Sequence, residues 1–367
     1  MKNLWSIDID RKRVFGLDLL RAFAIFCVVH GHGKHYLEDT ALNFIEQIPF
    51  PHGVDIFFVM SGFLIGRSFL THMEKHNGMV GWPKTLSFYA RTALRIVPNY
   101  LFILIVYYFL VRFQAINGNT QAFPLWRFAT FTQNLFTPFW DFYWESWSLP
   151  VQWWFYILFP LTLVLSCRFF KPKKSTPVIC LVFLAVSLVF RMSISDKVVD
   201  SFSWDVWIRR TVASRCDNVF IGVFFAWIRV YFPNFWDKQA VKCFIAGVIL
   251  LVISIIIPGH IGSIYSNVLY LTLCALSAAL WFPAFSKIQS YKTRLGSMVS
   301  RLSILSYAMF LTNLMMVQII DVNCPRLVSH GILAYFVYWL ITIAASYFLY
   351  IFVEKPFVKL RERISTP

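Results

Sequence analysis

The sequence predicts an all-α polytopic membrane protein: a bundle of about ten transmembrane helices, with room for an eleventh, and both termini in the cytoplasm. Three observations predict it. Of 367 residues, 58% are apolar and only 14% charged. The mean hydropathy is +0.61. Apolar runs of about 18 to 22 residues recur down the chain, each long enough to cross a hydrocarbon core of ~30 Å. A soluble enzyme is excluded, and so is a β-barrel, because the runs are continuously apolar and lack the alternation of about ten-residue strands.

Spans are expected near residues 16–36, 53–72, 94–114, 147–168, 176–191, 214–232, 242–258, 265–283, 303–320 and 331–352. The stretch 126–140 (WRFATFTQNLFTPFW) is short, broken by polar residues and Pro138, and reads as a re-entrant or interfacial segment. Residues 1–15 then form a cytoplasmic N-terminal segment, 16–353 the transmembrane domain and 354–367 a cytoplasmic tail.

The net charge of +16 does not indicate nucleic acid, because Lys and Arg lie between the apolar runs and form no basic domain. Their distribution reports topology. With the N-terminus inside, 23 of them fall on the cytoplasmic side, including Lys2, Arg11, Lys12, Lys75, Arg91, Arg95, Lys292 and Arg363, against 8 outside. The outer eight include Arg191, Arg209 and Arg210 in or beside a loop at 192–213. This bias obeys the positive-inside rule. No small-residue cleavage site follows the basic start, so the N-terminus is expected to be retained. Six of seven cysteines sit in or beside apolar runs and Cys324 lies in an outer loop, so no disulfide framework is expected.

Ionisable residues inside a span are costly and mark function by default. The first span carries Asp18, Arg21, His30 and His32. Arg21 and His32 are separated by three helical turns, roughly 16 Å at ~1.5 Å per residue, and share a face. His30 is turned away from His32 by roughly 160°. The alternative is an Arg21–Asp18 structural pair with His32 as an interfacial residue. His32 and His35 share a face, but no further ligands follow at metal-binding spacing, so no metal is expected. Asp55, at the outer end of the second span, is placed to orient His32. Ser61, Gly62 and Gly66 suit close helix contact. Arg91 and Arg95 lie one turn apart where the third span begins, with Pro98 interrupting the helix ladder just above. They form either a phosphate clamp or a simple topological anchor.

The segments GLDLLRAFAIFCVVHGH, GVDIFFVMSGFLIG, FYARTALRIVP, SWSLPVQWWFYILFP, SRCDNVFIGVFFAW, LSYAMFLTN and YIFVEKPF cover nearly the whole chain. In this order the set resembles the integral-membrane acyltransferase family 3. The resemblance implies a ten-helix enzyme that moves an acyl group, usually acetyl, from a cytoplasmic donor to a hydroxyl of a surface or secreted glycan such as lipopolysaccharide O-antigen or exopolysaccharide. It implies a bacterial inner-membrane location. Its Arg-x10-His signature falls on Arg21 and His32, and its basic motif on Arg91 and Arg95. It assigns Gln152, Arg215 and Asp217 to the acceptor site. Three positions depart from the family pattern: Thr92 replaces an arginine, Gln152 an acid, and Asn313 the histidine that ends a late motif, here Phe310 to Asn313. Glu145 is the nearest carboxylate to Gln152, seven residues earlier and at a different depth.

The expected chemistry follows. A sugar hydroxyl needs a base to attack a thioester, and neutral His32 supplies one. Acetyl-coenzyme A serves as the donor, with no permanently bound cofactor. Its phosphates stay near Arg91 and Arg95 while its arm reaches past Arg21. Direct transfer and an acetyl-histidine relay both remain open. The expected partners are an acyl-coenzyme A, a glycan acceptor and the lipid bilayer, with no nucleic acid and no oligomeric state indicated. A transporter or flippase, and an inactive glycan-binding homologue, are the competing functions.

Overall fold

The computed structural model describes residues 7, 9, 13–76, 81–257, 259–289 and 293–365, with side chains as far as residue 361. Lys2, Arg11, Lys12 and Lys292, which enter the topological count, lie outside the described residues, and the Arg363 side chain lies beyond the described ones. Among the described residues the structure is helical and contains no strand.

Among the described residues ten long helices form the bundle: α1 (Phe15–Gly33), α2 (Gly53–Lys75), α3 (Trp82–Arg112), α4 (Ser148–Ser166), α5 (Pro172–Ser193), α6 (Val212–Tyr231), α7 (Ala240–Ile256), α8 (Tyr270–Phe285), α9 (Arg294–Asn323) and α10 (Gly331–Leu349). Each overlaps an expected span. Helices are what a long apolar segment must form in lipid, where no water satisfies backbone N–H and C=O groups. Among the described residues eight are long and apolar enough to cross a membrane, with helical extensions of α1, α4, α8 and α10 included. α6 reaches the length of a span together with the preceding helical turns Ser201–Arg209, from which it is bent by 59°. α7, at 17 residues, is a shorter apolar helix.

The lipid-facing surface is legible in the packing. Leu181, Val182 and Val189 on α5, Ile245, Ile249 and Ile256 on α7, and Leu333, Phe336 and Leu340 on α10 are large, apolar and exposed. Stripes of this size would be an aggregation hazard in water and are ordinary against acyl chains.

The centre of the bundle is built where α2 meets α6 and where α1 meets α9. α2 and α6 touch backbone to backbone. A Cβ on Gly62 would stand 1.9 Å from the Val219 carbonyl oxygen, and one on Gly222 2.1 Å from that of Val59. Small residues are therefore obligatory at this crossing. The contact brings the first turn of α6 against the first turn of α2.

One expected boundary shifts. α3 begins at Trp82, well before residue 94, and continues through Pro98, so Arg91 and Arg95 lie inside a helix and not where one begins. The amphipathic stretch before residue 94 is helical but too polar to register as part of an apolar run. The chain after residue 354 is also helical: α11 (Lys355–Ser365) continues from α10 through one wide turn and packs on α3.

Segment 126–140 contains one short helix, Leu125–Ala129, and does not cross. Its role is to tie loops together. The Asn134 side chain donates to the Trp147 carbonyl at 2.7 Å and to the Arg210 carbonyl at 2.5 Å. The Val212 and Ala213 amides donate to the Asn134 and Leu135 carbonyls. The turns before α4 and α6 are thereby fixed to each other.

Candidate active site

His32 lies in the last turn of α1, opposite α9. Its Nδ1 is hydrogen-bonded to the Asn313 side-chain oxygen. The Asn313 amide nitrogen donates to the carbonyls of Met309 at 2.9 Å and Phe310 at 2.8 Å. Carbonyls only accept, so the amide orientation is fixed and its oxygen must receive a proton from His32. Nδ1 therefore carries the hydrogen, and Nε2 keeps its lone pair. Nε2 makes no hydrogen bond among the described residues and is not sealed from the adjoining space.

That space is a cavity of about 400 Å³, whose walls include His32, His52, Trp144, Glu145, Trp147, Arg209 and Arg210. Arg210 stacks on Trp144, its guanidinium carbon 4.2 Å from the ring centre, and Arg209 stacks on Trp147 at 5.6 Å. Both arginines pair with Asp205, which orients them over the cavity. His30 lines the same cavity, but its ring is held between Phe26 and Phe50, with Nδ1 3.0 Å from the Tyr335 hydroxyl. It is thus turned to another side of α1. His35 is exposed, 3.6 Å from Asp321.

A second cavity, of about 90 Å³, lies towards the other end of α1. It is lined by Arg21, Ser61, Arg95, Gln152, Tyr156 and Tyr307, among others. Val54 and Phe310 line both cavities, so the two meet at this pair. Asp18 is engaged by Arg13 and by the Ser303 hydroxyl at 2.8 Å, which rules out the Arg21–Asp18 pair. No carboxylate stands within ion-pairing distance of Arg21 among the described residues. Gln152 accepts from Ser61 and Tyr156 through its oxygen, both at 3.2 Å, leaving its NH₂ for the cavity. Arg91 does not line this cavity; Arg95, one turn further along α3, does.

Three expected site residues are elsewhere. Asp55 does not orient His32: it is buried against Arg215, with the Asn218 amide 3.3 Å away. The Gly62–Gly222 crossing forces this, since it sets the first turns of α2 and α6 face to face. Asp217, expected with Arg215 at the acceptor site, pairs instead with Arg191 and accepts from Thr272 at 2.5 Å. Arg191, counted among the outer charges, is fully buried. Neither Arg215 nor Asp217 lines either cavity. A buried ion pair holds its helices in register, and each partner is costly to remove. These residues frame the site without facing it.

A family model described as an acyltransferase domain matches residues 14–351. The chain belongs to that acyltransferase family. Among curated relatives, it is 30% identical over 178 residues to the peptidoglycan O-acetyltransferase OatA of Listeria monocytogenes, covering 45% of this chain and 26% of the relative. It is 26% identical over 229 residues to the O-acetyltransferase OatA of Staphylococcus aureus, covering 58% of this chain and 35% of the relative. The matches thus span about a quarter to a third of those relatives' length. No solved structure matches the chain.

Set beside the family's motifs, the structure reassigns one departure. Asn313, which stands where the family pattern has a histidine, is the hydrogen-bond partner of His32. Arg209 and Arg210 read in the sequence as outer-loop charges, yet they are folded down over the His32 cavity by the bend before α6. The pairing of two arginines with aromatic residues at 144 and 147 carried no periodic signal. Only the density of tryptophan around residues 140–154 hinted at a structured wall.

Proposed function

We propose that this acyltransferase is a membrane-embedded O-acyltransferase that moves an acyl group, in the simplest case acetyl, from acetyl-coenzyme A to a hydroxyl of a cell-envelope glycan. The setting in this reading is the bacterial inner membrane, as the family resemblance implies, with both termini cytoplasmic, the orientation that the charge bias supports. The observation that carries the reading is the imidazole locked with Nε2 free, facing one cavity, while two arginines face a second cavity that meets the first at Val54 and Phe310.

In this reading the acceptor sugar occupies the His32 cavity, and its hydroxyl gives its proton to Nε2 as its oxygen attacks the thioester carbonyl. The C–O bond forms and the C–S bond breaks. The proton taken by His32 then passes to the departing thiolate. Arg21 and Arg95 bind the anionic portion of the donor, charge-assisted contacts being the strong ones for phosphate. The Listeria relative is named for peptidoglycan, which joins O-antigen and exopolysaccharide among the acceptors considered.

Purified protein incubated with [¹⁴C]acetyl-coenzyme A and envelope saccharide from cells lacking it should release coenzyme A and label the saccharide. Neither a transporter nor an inactive homologue would do so.

A further inference from the structure

Glu145 lies in the single helical turn Trp144–Trp147 that precedes α4, and it is 3% exposed. Neither of its carboxylate oxygens has a hydrogen-bond partner among the described residues and both are sealed from solvent, although the residue forms part of the wall of the His32 cavity. The nearby cation makes no hydrogen bond to it: Arg210 reaches Asp205 through one terminal nitrogen and stacks on Trp144, while its Nε is likewise without a partner among the described residues. A buried acid with both oxygens unmet costs several kcal/mol, and stability gives no reason to keep it. Such an orphan calls for an explanation in terms of what it binds.

The surroundings say what that is. The turn offering Glu145 also presents Trp144 and Trp147 to the same cavity. Asn134 holds the turn from behind by bonding the Trp147 and Arg210 carbonyls. The cavity is thus lined by tryptophan rings, a residue with an unmet carboxylate and an imidazole with a free nitrogen. Aromatic faces suit the C–H face of a pyranose ring, while a carboxylate accepts hydrogen bonds from hydroxyl groups.

We propose that Glu145 is an acceptor-binding residue: turned from its sealed position into the cavity by a side-chain rotation, its carboxylate takes hydrogen bonds from a hydroxyl next to the one that reacts, presenting a sugar diol to His32 against Trp144 and Trp147. This deepens the acyl-transfer reading and rests on it. It also supplies an acidic group for the acceptor although position 152, where the family pattern has one, holds glutamine.

The test uses full-length protein in detergent, [¹⁴C]acetyl-coenzyme A as donor, and envelope saccharide from cells lacking the protein as acceptor. Glu145→Gln keeps shape and removes the charge; Glu145→Ala removes the group. The apparent KM for saccharide should rise about 10- to 100-fold in each, the range of a hydrogen bond to a charged group, while the KM for the donor stays within about twofold. An unchanged saccharide KM in Glu145→Gln overturns the proposal. A loss confined to kcat, or a matching rise in donor KM, also overturns it, since Glu145 would then act elsewhere. No labelling by the wild-type protein would instead sink the acyl-transfer reading itself. Thermal midpoints identify misfolded material, and if Glu145→Ala alone is misfolded, Glu145→Gln decides.

Discussion

The Asn313 side chain fixes the tautomer of His32: the amide gives both its protons to helix carbonyls and its oxygen takes the Nδ1 proton of the imidazole. A residue without ionisable chemistry thus decides which ring nitrogen is available as a base. Asn313→Leu leaves Nδ1–H without its acceptor, a loss of about 1–3 kcal/mol when buried, so acyl transfer should fall roughly 10- to 100-fold at equal membrane abundance. Asn313→Asp keeps an acceptor for Nδ1–H and should retain more activity than Asn313→Leu. Equal activity in all three proteins would show that the tautomer is held by something else.

Asp55 and Arg215 are predicted to matter for folding before chemistry. Asp55→Ala strands a buried guanidinium, and breaking such a pair from one side costs about 3–5 kcal/mol. The variant should accumulate poorly and melt early in detergent, while Asp55→Leu/Arg215→Met should recover much of the lost stability. A normal melting temperature for Asp55→Ala combined with lost acyl transfer would return Asp55 to the catalytic group.

The two arginines of α3 should separate. Arg95 lines the cavity with Arg21 and Arg91 does not. Arg95→Ala should therefore raise the apparent KM for acetyl-coenzyme A more than Arg91→Ala, with both proteins present at normal levels, since neither makes an ion pair among the described residues. Equal effects, measured by donor titration, would mean that Arg91 also reaches the donor.

Close packing gives a prediction that needs no knowledge of the reaction. Gly62→Leu must push a side chain into the α6 backbone at Val219, and the misfit at the α2–α6 crossing should reduce membrane abundance sharply. Gly31→Ala, where a Cβ meets nothing within 4 Å, is the matching control. Normal levels of Gly62→Leu, read by immunoblot, would contradict the close crossing.

Much of the bundle was legible because lipid imposes one rule, long apolar helices, and the hydropathy pattern records it directly. Arg21 and His32 were legible for the same reason, as ionisable groups on one face of an apolar helix. What stayed hidden depends on how helices meet. Nothing along the chain says that Asp55 faces Arg215, some 160 positions away, and not His32, because the Gly62–Gly222 crossing sets that pairing. Arg209 and Arg210 looked like topology signals, since a bend that folds a loop back over a cavity leaves no periodicity. Asn313 looked like a lost histidine, because its value lies in a contact with another helix.

The central claim is that His32 Nε2 is the base that activates the acceptor. The most direct measurement is the initial rate at which a His32→Ala protein transfers [¹⁴C]acetyl to envelope saccharide, at wild-type membrane abundance and beside His35→Gln. General-base assistance is worth about 10²- to 10⁴-fold, so the rate should fall by at least about two orders of magnitude in His32→Ala and stay near wild type in His35→Gln. Transfer by His32→Ala at close to the wild-type rate would place the base elsewhere and contradict the account.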